Sequence, residues 1–336
     1  MISAPRILVI RRDNIGDLIC TTPLLAGLRL AHPHAWIGVL VHSYNAPVLK
    51  GCGDVDEVFV YRKAKHNPGE SRLGLLVARA RLWLRLRQLA LDAVLVASPG
   101  DRAERMATGL RAARIVVRGQ SAAVRGRITV VAEGNGHEVE RVCALGAPLG
   151  VTGPPAAVRV HGAAPRPSHG PFTLGVHISA RKPSQRWSIT HFEQTLLALD
   201  PSWRVKLFWA PGDERDPRHP GDDRKAAALI RSMAGRVQPM PTSTLGALMD
   251  ALAGCDAVLC ADGGAMHVAA GLGKPIVCLF GDSDAARWHP WGVPYRLLQA
   301  PSRHVDDIAV DAVVAALRDL CPVDGASIAP RPSQTP

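Results

Sequence analysis

The sequence predicts an α/β protein built from two doubly wound domains. Short runs of branched apolar residues alternate with helix-like segments from residue 6 to residue 145, a pattern typical of parallel strands joined by helices. A stretch rich in proline and glycine at 153–171 interrupts the pattern, which then restarts at Phe172. The chain of 336 residues is long enough to form two cores. We therefore expect domains at 1–152 and 172–304, joined by a linker at 153–171.

In the first domain, the apolar run Arg6–Ile10 predicts a buried strand, followed by a loop and a helix over Leu18–Ala31. The helix expected at 73–91 carries arginines among leucines and is amphipathic. The other predicted strands are 36–41, 57–61, 92–97 and 114–117, and the other predicted helices are 45–51 and 138–145.

The second domain repeats the alternation. A helix at 305–321 is expected to close the fold by packing back toward the first domain, and residues 322–336 are expected to be a disordered tail. The predicted strands are 172–177, 205–209, 256–260 and 275–280, and the predicted helices are 190–199, 225–235 and 245–253.

Three features of the sequence favour a cytoplasmic protein. The N-terminus lacks a basic head followed by an apolar signal core, and no apolar run approaches the ~20 residues that a membrane-spanning helix needs. The 7 cysteines are odd in number and mostly lie in apolar runs, without a CxxC spacing. This favours buried free thiols in a reducing compartment.

The net charge of +11 is unevenly distributed. Residues 1–160 contain 22 Lys and Arg against 12 Asp and Glu, whereas the remainder contains 18 against 17. A basic half suggests an acidic partner such as anionic lipid, an acidic glycan or nucleic acid. The alternative is that arginine simply solvates the helices of this chain.

A glycine-containing loop between two predicted strands indicates a phosphate site. The strand at 256–260 leads into the loop at Asp262, Gly263 and Gly264, and a helix begins at about Gly264. The start of a helix presents unpaired N–H groups and the positive end of the helix dipole, and it therefore binds anions. Asp262 and His267 flank this spot, which suggests a nucleotide-sugar site.

Four segments in chain order resemble the bacterial heptosyltransferases of glycosyltransferase family 9, which have the GT-B fold of two Rossmann-like domains facing a central cleft. Together these segments span most of the chain. They are Ile15-Gly16-Asp17 followed by Thr21-Thr22-Pro23, Gln185-Arg186-Trp187, Asp262 to His267, and Phe280-Gly281-Asp282 with Trp288 to Gly292.

The resemblance implies inverting transfer of a heptose from ADP-heptose to the lipid A–Kdo inner core of lipopolysaccharide, without a metal or cofactor. Such an enzyme would work in the cytoplasm, in contact with the inner face of the inner membrane. Inversion needs one in-line displacement in which a carboxylate takes the proton of the acceptor hydroxyl. Asp17 matches the family's base. The alternative is that Asp17 caps the following helix.

On the donor side, Asp262, Gly263, Gly264 and His267 match the family's diphosphate loop. The main departure is Gln185, which stands where the family usually has a lysine that meets the phosphates. Because a neutral amide cannot offset the charge of a diphosphate, nearby cations must take over or the activity is altered. The candidate cations are Arg181, Lys182 and Arg186.

The resemblance also implies residues for the remaining parts of the substrates. An acid that holds the ribose is expected at Glu214 or Asp213, and Ser243 would border the base. The basic first domain is expected to hold the acidic acceptor, and the residues expected near it are Arg11, Arg12, Lys63 and Lys65.

Rival functions remain at this point. Gly51-Cys52-Gly53 and Gly271–Lys274 resemble fragments of nucleotide-binding motifs, but neither is complete, so an oxidoreductase is poorly supported. No nucleic-acid-binding module is present and aromatic residues are only 4%, so we expect no specific nucleic acid partner. A family member that uses another nucleotide sugar or acceptor, or an impaired member that acts as a binding protein because of Gln185, stays open.

Overall fold

The computed structural model describes residues 4–63, 69–120, 122–162, 171–216 and 220–321. The chain divides into two compact α/β units between His161 and Gly162. The first part of the expected linker belongs to the first unit, because Val158 and Val160 are buried and the Arg159 N–H donates to Thr22 Oγ1 at 3.0 Å. Residues 163–170 of that linker and the expected tail at 322–336 lie outside the described residues.

The first unit contains one sheet whose order is β3-β2-β1-β4-β5-β7-β6. All neighbours are parallel except β6 and β7, which form an antiparallel hairpin. The strand order reverses between β1 and β4. The strands are β1 (Arg6–Ile10), β2 (Trp36–His42), β3 (Glu57–Tyr61), β4 (Leu91–Val96), β5 (Ala112–Gly119), β6 (Ala123–Arg125) and β7 (Ile128–Ala132).

The helices of the first unit are α1 (Ile15–Ile19), α2 (Thr22–Ala31), α3 (Arg72–Gln88), α4 (Asp101–Thr108) and α5 (Glu138–Cys143). The single helix expected at Leu18–Ala31 is instead two helices. Pro23 explains the break, because it lacks an N–H group and its ring excludes the carbonyl of the residue four positions earlier. Short 3-10 turns replace the helix expected at 45–51 and extend α5.

The second unit contains a wholly parallel sheet of order β10-β9-β8-β11-β12-β13. This is the doubly wound order in which the first strand lies next to the fourth, so the order reverses between β8 and β11. The strands are β8 (Thr173–His177), β9 (Arg204–Trp209), β10 (Val237–Pro241), β11 (Ala257–Ala261), β12 (Ile276–Phe280) and β13 (Tyr295–Gln299).

The helices of the second unit are α6 (Ile189–Ala198), α7 (Asp223–Ser232), α8 (Leu245–Ala253), α9 (Gly264–Gly271), α10 (Ala285–Trp288) and α11 (Val310–Leu320). The expectation that the last helix packs back toward the first domain stays a prediction. Val313, Leu317 and Leu320 are buried in the hydrophobic core of the second unit, and α11 packs on α6, β12 and β13.

Two further features concern membranes and thiols. Across the described ranges, no helix combines the length and the apolar character needed to cross a bilayer. Within the described residues, none of the 7 cysteines forms a disulfide bond, and five of them are buried. Burial raises the pKa of the Cys143 and Cys321 thiols to about 12, as expected of inert structural thiols.

Candidate functional site

Asp17 lies in the first turn of α1, directly after the loop that follows β1. Asn14 is the N-cap of this helix, and Asp17 occupies the third helical position of a capping box. Asp17 Oδ2 accepts from the backbone N–H of Asn14 at 3.1 Å and from its Nδ2 at 3.0 Å. The Asp17 side chain keeps 13% of its surface exposed. The carboxylate therefore caps α1 and stays partly open to solvent.

Arg11 holds the other oxygen of Asp17. Its guanidinium is fully buried, and Nη2 donates to Asp17 Oδ1 at 2.7 Å and to Glu138 Oε1 at 2.8 Å. Nε lies 3.4 Å from Asp13 Oδ2. Burial alone would lower the pKa of Arg11, but the three carboxylates outweigh burial and raise it. The expectation that Arg11 contacts the acceptor is wrong, because its side chain is enclosed and paired with Asp17.

Glu138 and Arg118 complete this cluster, and sequence reasoning missed both. Glu138 is the first residue of α5, and its side chain is 1% exposed. Arg118, at the end of β5, donates through Nη1 to Glu138 Oε1 at 3.3 Å and through Nη2 to the Ala97 carbonyl at 3.2 Å. The cluster therefore joins the carboxyl ends of β1, β4 and β5 to α5. The available sequence signal was that Arg11 and Arg118 each follow a buried apolar run.

Asp13 is a second carboxylate beside Arg11. Burial raises its pKa, and the neighbouring Asp17 adds to the effect, while Arg11 and a hydrogen bond from Ser98 oppose it. Its side chain is 20% exposed. Asp13 is thus a second partly exposed carboxylate in this cluster, whereas Glu138 is enclosed.

Arg12 lies at the same edge of the sheet and differs from Arg11 in being only half-buried. Its backbone N–H donates to Ser98 Oγ at 2.7 Å, and its guanidinium lies 5.0 Å from the ring centroid of Tyr61. The guanidinium of Arg79 lies 4.9 Å from the same ring. Two cations therefore surround Tyr61 at the end of β3. Lys63 is exposed two residues further on, and Lys65 lies outside the described residues.

In the second unit, the loop from Asp262 to Gly264 joins β11 to α9. The first hydrogen bond within α9 runs from the His267 N–H to the Gly263 carbonyl at 3.3 Å, so the preceding N–H groups point out of the helix start. Gly263 has φ 153°, a conformation that favours glycine, although a Cβ there would meet nothing within 4 Å. His267 is buried, and its ring lies edge-on to that of Trp288, with the two ring centroids 6.0 Å apart.

Gln185 connects three loops at the carboxyl edge of the second sheet. Its buried amide Nε2 donates to Asp262 Oδ2 at 2.8 Å and to Ser283 Oγ at 2.9 Å. These partners follow β11 and β12, whereas Gln185 itself follows β8. The structure therefore brings Gln185 and Asp262 together at the point where the strand order reverses, which is where open α/β sheets bind ligands.

The cations near Gln185 differ in their surroundings. Lys182 is exposed and pairs with Asp282 at 3.3 Å, and hydrogen bonds from Ser184 and Lys182 lower the pKa of Asp282. Arg186 is half-buried, and its Nε donates to the Ala180 carbonyl at 3.1 Å. Arg181 is exposed.

Lys225 is a cation that the sequence did not single out. Its Nζ donates to the carbonyls of Trp187 at 2.7 Å and Ile178 at 3.2 Å, and it therefore holds both ends of the loop that carries Gln185. Burial lowers the pKa of Lys225 to about 8. Burial and the Lys225 charge together lower the pKa of His177 to about 4.

The residues expected near the nucleoside follow β9 and β10. Asp213 Oδ1 accepts from the Arg215 N–H at 2.9 Å, which closes a local turn. Glu214 is exposed, and its Oε1 forms a surface ion pair with Arg224 Nη1 at 3.1 Å. Ser243 is exposed and precedes Thr244, the N-cap of α8.

In the part of the chain that the structure describes, no group of three or more His, Cys, Asp or Glu side chains has a geometry that could hold a metal ion. Metal independence of the site stays a prediction.

The comparisons with known proteins bear directly on these loops. The model of glycosyltransferase family 9 (heptosyltransferase) matches residues 79–308. The chain belongs to this family. The matched range contains Gln185 and the loop from Asp262 to Gly264, whereas Asp17 lies before it. The resemblance expected from the sequence is therefore confirmed.

Relatives in family 9 are distant in sequence. Lipopolysaccharide heptosyltransferase 3 of Escherichia coli is 24% identical over 304 residues, which cover 82% of this chain and 83% of that protein. Lipopolysaccharide heptosyltransferase 1 of Escherichia coli strain K12 is 24% identical over 152 residues, which cover 45% of this chain and 44% of that protein. The chain thus spans less than half the length of this second relative.

Solved family 9 structures share the fold. The Escherichia coli heptosyltransferase WaaC with ADP has a TM-score of 0.79 at 20% identity, and the match covers 94% of this chain and 99% of that one. The family 9 glycosyl transferase from Veillonella parvula DSM 2008 has a TM-score of 0.79 at 19% identity, and the match covers 94% of this chain and 97% of that one. The predicted GT-B fold class is confirmed.

Proposed function

We propose that the protein is an inverting glycosyltransferase that moves a heptose from ADP-heptose to the lipid A–Kdo inner core of lipopolysaccharide. The observation that carries the proposal is the Asp262–Gly264 loop, where a helix start lies at the strand-order reversal of a family 9 chain. Helix starts of this kind bind diphosphates. The adenine nucleotide and the heptose come from the family and from the names of its members.

On the donor side, the diphosphate would lie against the N–H groups at the start of α9. Arg186 is the cation best placed to replace the usual lysine, because Lys182 is already paired with Asp282. For the ribose we favour Glu214 over Asp213. The carboxylate of Asp213 serves a local turn, whereas the exposed pair of Glu214 with Arg224 costs only about 0–1 kcal/mol to break.

On the acceptor side, Asp17 would act as the general base. The acceptor hydroxyl oxygen forms a bond to the anomeric carbon while the bond from that carbon to the diphosphate breaks, and the hydroxyl proton passes to Asp17. A carboxylate offers about four acceptor positions, and the three bonds from Arg11 and Asn14 leave room for this proton. ADP leaves with the electron pair, stabilised by the helix start.

In this mechanism transfer uses neither a metal nor a cofactor, so it should proceed unchanged in excess EDTA. The acceptor would lie on the basic first unit, where Arg12 and Lys63 would meet sugar acids or lipid phosphates. The protein would work in the cytoplasm at the inner face of the inner membrane.

A second candidate function is a binding protein that retains ADP but transfers poorly. The observation that favours it is Gln185, because its neutral amide is engaged with Asp262 and Ser283 and adds no charge for a diphosphate. Titration calorimetry with ADP and UDP, combined with a screen of nucleotide sugars, separates the candidates. Tight ADP binding with transfer supports the proposal, tight ADP binding without transfer supports the binding protein, and tighter UDP binding points to another sugar nucleotide.

A further inference from the structure

The outward face of α3 carries an apolar stripe that nothing in the described structure covers. Leu73, Val77, Ala80 and Leu84 are spaced by four, three and four residues, so they lie along one face of the helix. Leu73 is 71%, Val77 40% and Leu84 59% exposed. The buried residues of the helix lie on the opposite face. Leu76, at the edge of the stripe, is 60% exposed.

Arginines border this stripe on both sides. The helix contains five arginines and no acidic residue. Arg79 and Arg85 turn toward the sheet, where Arg79 donates to the Arg62 carbonyl and Arg85 pairs with Glu57. Arg72 and Arg81 are exposed and have no ion-pair partner within the described ranges. The face therefore combines exposed leucines with uncompensated positive charge.

The charge pattern decides between occupants of this face. A second copy of α3 would bring arginines against arginines without any acidic partner, which disfavours self-association. An anionic phospholipid surface complements the arginines with its phosphates and accepts the leucines at the boundary between headgroups and acyl chains. The 17-residue helix cannot span a bilayer, so it would lie in the plane of the surface.

We infer that α3 is a membrane-surface helix that seats the first unit on an anionic phospholipid bilayer. The inference deepens the proposed function, which places the acceptor in a membrane, by naming the element that makes the contact. The leucine stripe enters the interface, and Arg72 and Arg81 lie at the level of the lipid phosphates.

The first test replaces two exposed leucines of the α3 stripe with a polar residue. The full chain and the double variant L73Q/L84Q are sedimented with vesicles of phosphatidylglycerol and phosphatidylcholine. Glutamine has a helix propensity close to that of leucine, so the exposed helix is kept. The matched control is L30Q/L197Q, which replaces two leucines of other helices that are 82% and 62% exposed. We expect L73Q/L84Q to weaken vesicle binding at least tenfold and the control to bind as the wild type does.

The second test removes the positive charges of Arg72 and Arg81. R72Q/R81Q should weaken binding to phosphatidylglycerol vesicles about tenfold or more and leave the weak binding to pure phosphatidylcholine unchanged. The control R111Q/R231Q removes two exposed arginines elsewhere. Equal losses in test and control variants would overturn the inference, because binding would then follow net charge alone.

Two further outcomes are decisive. If light scattering shows a dimer that L73Q/L84Q dissociates, a second copy occupies the stripe and the inference fails. Sugar transfer to a detergent-solubilised acceptor is measured on the same variants and should stay at the wild-type rate. Vesicle binding through α3 without any transfer would uphold this inference and refute the proposed function. Transfer without α3-dependent vesicle binding would support the proposed function and refute this inference.

Discussion

Arg11 organises the chemistry of the first unit from a fully buried position. It contacts Asp17, Glu138 and Asp13, so three carboxylates converge on one guanidinium. Taking these charges out of water is costly, and the mutual contacts offset that cost. The arrangement fixes the direction in which Asp17 points, as its proposed role as a base requires.

The substitution Asp17→Asn tests the base. We expect kcat to fall by about 10²–10⁴-fold, because asparagine cannot accept the proton, while the affinity for ADP stays unchanged. Asn14 donates to one oxygen of Asp17 and Arg11 to the other, so the amide NH2 must face a donor in either orientation. The variant should therefore also lose about 1–3 kcal/mol of stability by denaturant unfolding.

Asn14→Ala is the control for that loss. It removes the cap and one donor to Asp17 but keeps the carboxylate, so it should cost about 1 kcal/mol and change kcat only a few-fold. If Asp17→Asn turns over at near the wild-type rate, Asp17 is a capping residue and Asp13 becomes the next carboxylate to test.

The substitution Gln185→Lys tests the departure from the family pattern. A lysine at this position would place a cation beside Asp262 and the helix start, and charge-assisted contacts are about twice as strong as neutral ones. We expect the Kd for ADP to fall about 3–10-fold in titration calorimetry. Gln88→Lys adds the same charge at the end of α3 and should leave the Kd unchanged. Equal effects of the two substitutions would show that position 185 does not face the phosphates.

Sequence reasoning identified residues whose chemistry shows in local motifs and missed those that depend on burial. The Asp262–Gly264 loop was predicted because strand, glycines and helix are contiguous. Glu138 is 127 residues from Arg11, and no spacing rule joins them. The sequence also does not show that the Arg11 side chain is enclosed by the fold. For this reason Arg11 was predicted to contact the acceptor.

At the scale of elements, the start of α9 depends on the conformation of Gly263. Its φ of 153° is strained for any residue with a Cβ. Gly263→Ala should cost about 1–3 kcal/mol of stability and weaken ADP binding, because the helix start shifts. Gly246→Ala, in the first turn of α8 with open space around it, should instead gain up to about 1 kcal/mol. Unfolding and ADP binding of both variants are measured, and an unchanged Kd for ADP in Gly263→Ala would contradict the proposed phosphate site.

The loop that carries Gln185 should show a pH signature through Lys225. Its pKa is about 8 in the folded chain and 10.5 when unfolded, so the unfolded state binds more protons between these values. Stability should therefore rise as the pH rises from 8 to 10.5, by about 2–3 kcal/mol at most. In Lys225→Met this rise should be absent, so it should appear in full in the difference between the wild-type and variant plots of unfolding free energy against pH. A rise of the same size in the variant would assign it to other groups.

Some elements were predicted from the sequence and others were not. The buried strands β1, β2, β11 and β12 have continuous apolar runs and were predicted to within about one residue. β10 contains two prolines, β13 is a half-buried edge strand, and the β6–β7 hairpin is short and partly exposed. Propensity gives little signal for such edge elements.

At the scale of the whole molecule, the basic excess of residues 1–160 has more than one use. Arg11 and Arg118 are internal and pair with Glu138, Arg12 and Arg79 surround Tyr61, and the outer arginines of α3 face solvent. Net charge alone predicted an acidic partner but could not separate these roles. The two-unit architecture was predicted because the strand–helix alternation stops and restarts, while the exact division at His161 depends on packing.

The central claim is that the chain is a heptosyltransferase that uses ADP-heptose. The most direct measurement is mass spectrometry of a truncated lipopolysaccharide acceptor after incubation with the purified protein and ADP-heptose, in parallel with UDP- and GDP-sugars. The account predicts that the acceptor gains one heptose, that ADP is released in equal amount, and that the other donors give no product. An unmodified acceptor in the presence of bound ADP, or a product from a UDP- or GDP-sugar, would contradict it.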